Sequence, residues 1–307
     1  MIDPDYLYSS IKKKKYVIFL FHGIIEKPYP GIRNYTNKHI LKDDFEDLLI
    51  NFKKIGKSLS LDSLITHHEE KIPLPDFSFS ITFDDGFENN YSIARPILEK
   101  LSIPATFYVS TNLIEENLMT WIDQIEFCID TINNKTFYLP WSNRPFEISS
   151  NKSKINFLDN IRRNIKKNPD ICMQKKIVKY IFNHTGIEII KSNNGPLDKK
   201  MNWEQVRILH NHELFSIGGH SHNHQSLGLL KPHKMRKEIH KSMEYLAKKG
   251  QIQPQHYSYP EGQAIDFNNK TISFLKQNGI KCCPTAINGI NSNRMISLFE
   301  LKRIMVT

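Results

Sequence analysis

The chain has 307 residues and a formal net charge of +10; hydrophobic residues make up 39%, aromatic residues 11% and charged residues 24%. Over that length such an apolar share buries a sizeable core, which excludes disorder as the default and suits one α/β barrel. The charge is uneven: residues 151–200 hold twelve Lys or Arg against four Asp or Glu, a surplus of eight.

The plain reading of that surplus is a solvated helical face. The sharper reading is a patch for anionic lipid head groups or a phosphate-bearing substrate. No Gly-rich phosphate loop, zinc finger or base-stacking motif accompanies it, so nucleic acid is not an expected partner. The four cysteines, Cys128, Cys172, Cys282 and Cys283, form no Cys-x-x-Cys pair. They read as buried thiols in a reducing compartment rather than as a structural zinc site.

At the N-terminus, Lys12 to Lys15 precede the apolar run Tyr16 to Phe21. The order is that of a signal peptide, but His22-Gly23 breaks the run and no small-residue cleavage site follows. The run is too short to span a bilayer and fits a buried strand over 16–21. The expected location is therefore cytoplasmic, with peripheral contact with an anionic inner membrane as the sharper reading.

The elements follow in order. Residues 43–55 form a predicted helix with Phe45, Leu48, Leu49 and Phe52 on one face; Asp43 or Asp44 would cap it and Gly56 would end it. Residues 77–83, Phe-Ser-Phe-Ser-Ile-Thr-Phe, read as a strong strand. A helix over 89–101 and a strand over 105–109 come next, a rhythm that implies parallel strands. Residues 121–200 interrupt it as a basic, mostly helical insertion within a single 1–307 domain. Ile177, Val178, Ile181 and Phe182 form an apolar stripe there, and Asn193-Asn194-Gly195-Pro196 a loop. The rhythm returns with helices at 203–211, 232–249 and 267–278 and strands at 214–218, 256–259 and 282–286.

The chemistry falls at strand ends. Asp84-Asp85-Gly86 follows the strongest strand, where two neighbouring carboxylates repel unless a cation or proton relieves them. A plain turn uses the same residues. His220-Ser221-His222-Asn223-His224 follows the 214–218 strand. His220 and His224, four apart, would project from one side of a helical turn, and imidazole suits divalent transition metals; a His-rich surface turn is the plain alternative. His222 would point elsewhere. Asp85, His220 and His224 together supply three ligands and leave positions open for water and substrate, with Asp84 free as general base.

These segments resemble the polysaccharide deacetylases, the carbohydrate esterase group that includes chitooligosaccharide deacetylases. Thr82-Phe83-Asp84-Asp85-Gly86 and His220-Ser221-x-x-His224 are similar to its first two motifs. The stretch from Pro96 to Val109 is similar to its next helix and strand, and Trp203 to Gly219 to its approach to the histidines. Tyr257-Ser258-Tyr259-Pro260-Glu261-Gly262 is similar to a third-motif segment, and Leu301-Lys302-Arg303-Ile304 to a C-terminal strand. The likeness covers about 15–120 and 200–307.

It implies a distorted (β/α)7 barrel with a helical insertion, and a hydrolase that removes an N-acetyl or other acyl group from a sugar. It implies Asp84 as base and Asp85, His220 and His224 as ligands of a divalent metal: zinc, with cobalt or manganese as alternatives. The expected partner is an acylated sugar, oligosaccharide or lipid-linked saccharide. A deformylase of a lipid-linked amino sugar and a non-catalytic carbohydrate-binding protein are the rival readings. Two family features are missing. The family's later histidine, in a Leu-x-His segment, is replaced by Arg303, a poor proton donor. An arginine often found near the third motif has no evident match. His22 is then the candidate general acid, against a structural histidine as the plain reading. Tyr259, Pro260 and Trp121 are candidate substrate contacts, with backbone N–H groups near Tyr259 serving an oxyanion.

Overall fold

The computed structural model describes residues 4–11, 15–168, 170–188, 194–292 and 297–307. Lys12 to Lys14 and Asn193, singled out in the sequence, lie outside the described residues. Five strands carry the frame: β1 (Lys15–Phe21), β2 (Ser78–Phe83), β3 (Ala105–Val109), β4 (Phe215–Gly219) and β5 (Ile304–Met305). β1 pairs in parallel with β2, β2 with β3, and β3 with β4.

Two extended segments complete the ring. Gly219 bridges Tyr257, His256 bridges Cys282, and Pro284 bridges Leu301, all in parallel. β5 then returns to β1 in parallel, so five strands and two segments close a seven-staved barrel. Strand reach explains why the sequence shows the last staves weakly. Segments 256–259 and 282–285 pair through single bridges and carry no long periodic run.

The alternation in β2 shows how the barrel is built. Phe79, Ile81 and Phe83 point outward into a core shared with Phe45, Leu49, Phe52 and Leu98 of the covering helices. Phe19 stacks on Phe52 at 4.2 Å and Phe83 on Phe107 at 5.0 Å. Each such ring contributes about 1.5–3 kcal/mol by leaving water. The other parity, Ser80 and Thr82, faces the barrel interior, where Ser80 meets the Tyr16 hydroxyl and Thr82 meets Arg303.

The helix Lys42–Ile55 buries Phe45, Leu48, Leu49 and Phe52 and ends at Gly56, as the periodicity predicts. Neither Asp43 nor Asp44 caps it. The N-cap is Leu41, and both acids sit inside the first turn, where they face the positive end of the helix dipole. The strand predicted at 77 starts at Ser78, because Phe77 adopts a left-handed φ of 57°.

Between β3 and β4 stand helices Trp121–Thr131, Asn151–Lys167 and Ile171–Thr185. A hairpin of Lys135–Phe137 and Phe146–Ile148, unanticipated from the sequence, joins the first two; three residues per strand are too few for a period to register. Ile122, Ile129, Phe157, Ile161, Ile177 and Ile181 form a separate apolar cluster here. Phe182 belongs to it, and Val178 packs on it partly buried. Cys128, Cys282 and Cys283 are buried, but Cys172 is exposed in the first turn of Ile171–Thr185, against expectation. Among the described residues no helix is long and apolar enough to cross a membrane.

Candidate active site

The carboxyl ends of the staves meet in one cavity of about 340 Å³ lined by His22, Lys38, Asp84, Asp85, His220 and His224. His22 follows β1, Asp84 follows β2 and His220 follows β4, so the sheet itself brings these distant segments together. Asp85 at φ 71° and Gly86 at φ 68° are consecutive left-handed residues. They turn the chain sharply past the strand and leave both carboxylates at the cavity.

The histidine pair is built differently from the predicted helical turn. Residues 220–226 are irregular, with a bend at 222–223 and Ser221 and His224 left-handed, at φ 57° and 52°. Gly219 makes room for it, since a Cβ there would stand 2.4 Å from the Tyr257 ring. His220 Nδ1 donates to the Ser258 carbonyl at 3.0 Å, which directs Nε2 into the cavity. His222 turns away to the Thr111 hydroxyl at 2.8 Å, as expected of the odd member of the motif.

Asp85, His220 and His224 offer ligand atoms that all lie within 4.8 Å of one another. Asp85 Oδ1 stands 3.1 Å from His224 Nε2 and 3.6 Å from His220 Nε2. Two ligand atoms about 2.0–2.1 Å from a tetrahedral zinc stand about 3.3 Å apart, so the donor set and its spacing fit a divalent metal. The other oxygen of Asp85 takes Lys38 Nζ at 2.9 Å, and Lys38 also reaches Asp123 at 3.3 Å.

Asp84 is held by a residue the sequence left without a role. Arg303 Nη1 donates to Oδ1 at 2.8 Å and Nη2 to Oδ2 at 2.7 Å. The same guanidinium reaches Thr82 Oγ1, Ser258 Oγ and the Thr285 carbonyl. Arg303 is buried, and three staves fix its fork. Arg303, on the C-terminal strand, thus holds Asp84, although no arginine near the third motif was evident in the sequence. The one signal was an arginine at the apolar parity of Leu301-Lys302-Arg303-Ile304, in line with buried Leu301.

The charges follow this wiring. Burial raises the Asp84 carboxyl, but Arg303 and His220 outweigh it, so Asp84 stays below its ordinary value and ionised. Asp85 is held well below its ordinary value by Lys38 and His224 despite burial. His224 is raised, because the Asp85 charge overcomes its burial. Burial lowers His22 to about 4, and His39 and His220 move down for the same reason.

Histidines buried neutral bind protons more readily unfolded than folded. Stability of the metal-free protein is expected to fall as pH drops below 6.5, with the share due to His22 complete near pH 4. Urea unfolding across that range checks it. His22→Asn should flatten the slope, and an unchanged slope in that variant would contradict the assignment.

The remaining sequence candidates sit elsewhere. The Tyr259 ring stacks on Phe267 at 4.3 Å and its hydroxyl donates to the Phe299 carbonyl, in the outer core. Pro260 is buried, and neither residue lines the cavity, whereas Glu261 does. The parity of the stave explains this: Ser258 faces in, and its neighbours Tyr257 and Tyr259 face out. Trp121 lines a second cavity of about 670 Å³, which shares Thr120 and His224 with the first.

Comparison with known proteins agrees with this architecture. Residues 71–283 match the family model described as polysaccharide deacetylase, so the chain belongs to the polysaccharide deacetylase family. Its fold is shared with deacetylase PplD of Streptococcus pyogenes, solved in complex with acetate, at 19% identity and a TM-score of 0.60, covering 96% of this chain and 93% of that one. IcaB from Ammonifex degensii aligns at 15% identity and a TM-score of 0.60, over 96% and 93%. The BpsB deacetylase domain from Bordetella bronchiseptica aligns at 16% identity and 0.54, over 95% and 96%. At these identities the likeness is one of fold, the distorted (β/α)7 barrel. Comparison with curated proteins finds no match.

Proposed function

We propose that the protein is a metal-dependent hydrolase that removes an N-acetyl or other short acyl group from an amino sugar of a surface glycan. The observation that carries this reading is the convergence of Asp85, His220 and His224 on one point, beside a second carboxylate held in a fixed orientation. A protein of the same fold, deacetylase PplD, was solved in complex with acetate, the acid that such a reaction releases.

Asp85, His220 and His224 would hold the metal, zinc being the best match to two imidazoles and a carboxylate. Bound there, a divalent metal would supply Lewis acidity, lowering the pKa of water and polarising a carbonyl oxygen. The rest falls to the chain. Asp84 is ionised and accepts the proton of the attacking water at a carboxylate oxygen. Arg303 holds both oxygens of Asp84 and fixes the direction from which that proton arrives. His220 is kept in one tautomer by the Ser258 carbonyl.

Lowered to about 4, His22 carries no spare proton near neutral pH. In this reading the proton taken up by Asp84 is the one returned to the departing amine. His22 lines the cavity as a neutral hydrogen-bonding group, which revises its expected role as acid. Trp121 offers an aromatic face beside His224 for a sugar ring. Mass spectrometry of acetylated and formylated amino sugars incubated with protein and zinc tests the reaction. Loss of the acyl mass is expected, and unchanged masses across the panel would reject the proposal.

A further inference from the structure

The catalytic cavity is not lined by barrel residues alone. Helix Asn151–Lys167 of the basic segment contributes Arg162 and Lys166, one helical turn apart, to the wall that Asp84, Asp85, His220 and His224 also form. Among the described residues neither cation makes an ion pair with Asp84, Asp85 or Glu261, the acids that line the cavity; Arg162 pairs only with Glu126, outside it. Asp84 has both oxygens on Arg303, and Asp85 is shared between Lys38 and the two imidazoles.

Arg162 lies over the Tyr35 ring at 5.6 Å and reaches Glu126 through Nη2 at 3.4 Å, long for a charge-assisted bond. Glu126 is already engaged by the Asn34 N–H at 2.9 Å and by Arg33 at 3.5 Å. Arg162 Nε is buried with no hydrogen-bond partner. Lys166 is exposed and makes no ion pair among the described residues. The adjoining Trp121 cavity adds Lys175 and Lys179 and no acid, so the cationic surface continues away from the site.

We propose that Arg162 and Lys166 form a phosphate subsite of the catalytic cavity, so that the acylated amino sugar is recognised as its phosphate ester. The inference rests on the deacylase reading above. A planar guanidinium whose Nη2 makes only a long bond to Glu126, with an exposed ammonium one turn away, suits a group with several oxygens and more than one negative charge. A lone carboxylate would be satisfied by the arginine by itself. Glu261, on the same cavity, is left to accept a sugar hydroxyl.

Two measurements on the full chain decide it. In calorimetry of metal-stripped protein, inorganic phosphate is expected to bind, and Lys166→Glu and Arg162→Gln are each expected to weaken it by about tenfold or more, as loss of about 1.4 kcal/mol does. No phosphate binding, or binding equal in both variants, overturns the subsite. With the zinc-loaded enzyme, N-acetylglucosamine 1-phosphate, free or displayed as a lipid phosphate on vesicles, is compared with unphosphorylated N-acetylglucosamine.

The kcat/KM ratio of phosphorylated over neutral sugar is expected to exceed about tenfold and to collapse in Lys166→Glu, whose exposed position spares the fold. Preference for the vesicle form assigns the phosphate to a lipid carrier, and preference for the free form to a soluble sugar phosphate; either supports the subsite. Equal turnover of neutral and phosphorylated sugars overturns it. Acetate release from none of them rejects the deacylase reading, while the calorimetry still decides whether phosphate binds here.

Discussion

Replacing Asp84 with asparagine is expected to lower acyl release by about 10²–10⁴-fold, the usual range for removal of a positioned general base. The reason lies in what surrounds this carboxylate. Arg303 keeps it ionised and aims it, while a different carboxylate, Asp85, faces the histidines. An asparagine keeps an oxygen for the Arg303 fork but accepts no proton. Metal content should therefore stay at the wild-type value while turnover disappears. Parallel elemental analysis and kinetics check this. Loss of metal together with activity would show that Asp84, not Asp85 alone, belongs to the ligand set.

The second large effect concerns stability. Arg303→Met leaves a buried carboxylate with its main cation gone, and is expected to cost about 3–5 kcal/mol, the usual penalty for breaking a buried pair from one side. Arg303 also satisfies Thr82, Ser258 and Thr285, so the loss reaches three staves at once. The double variant Asp84→Asn with Arg303→Met removes both charges. It should be more stable than Arg303→Met alone, because no unpaired charge remains buried. Chemical denaturation of the four proteins gives the coupling. Costs that simply add would show that the ion pair is not what Arg303 contributes.

Much of the barrel was legible because β1 is a short continuous apolar run and β2 alternates cleanly. Phe79, Ile81 and Phe83 announce a helix-covered face, and Ser80 and Thr82 announce an interior narrow enough to need small groups. The Asp-Asp-Gly and His-x-x-x-His segments were legible because the ends of parallel strands are where ligands gather. Their backbone was not. Left-handed Ser221 and His224 replace the helical turn, and no residue type there demands such a φ. The partner of Asp84 was also out of reach. Arg303 and Asp84 lie 219 positions apart and meet only because the last strand closes against the first. In sequence, Arg303 reads as a lost histidine; in space it is the cation that holds Asp84.

Other misses have equally local causes. Tyr259 adjoins a motif residue but sits at the wrong parity, so its ring joins the outer core. Lys38 stands outside any long periodic element, and only its contact with both Asp85 and Asp123 marks it. The basic stretch was visible as charge alone. That two of its cations, Arg162 and Lys166, line the cavity of Asp84, Asp85 and the histidines follows from the way helix Asn151–Lys167 packs.

The most direct test of the site is metal stoichiometry of the purified protein beside His220→Ala. One equivalent of divalent metal per chain is expected in the parent, and loss of most of it in the variant with the fold retained. A variant that keeps its full equivalent would show that these side chains share no ion.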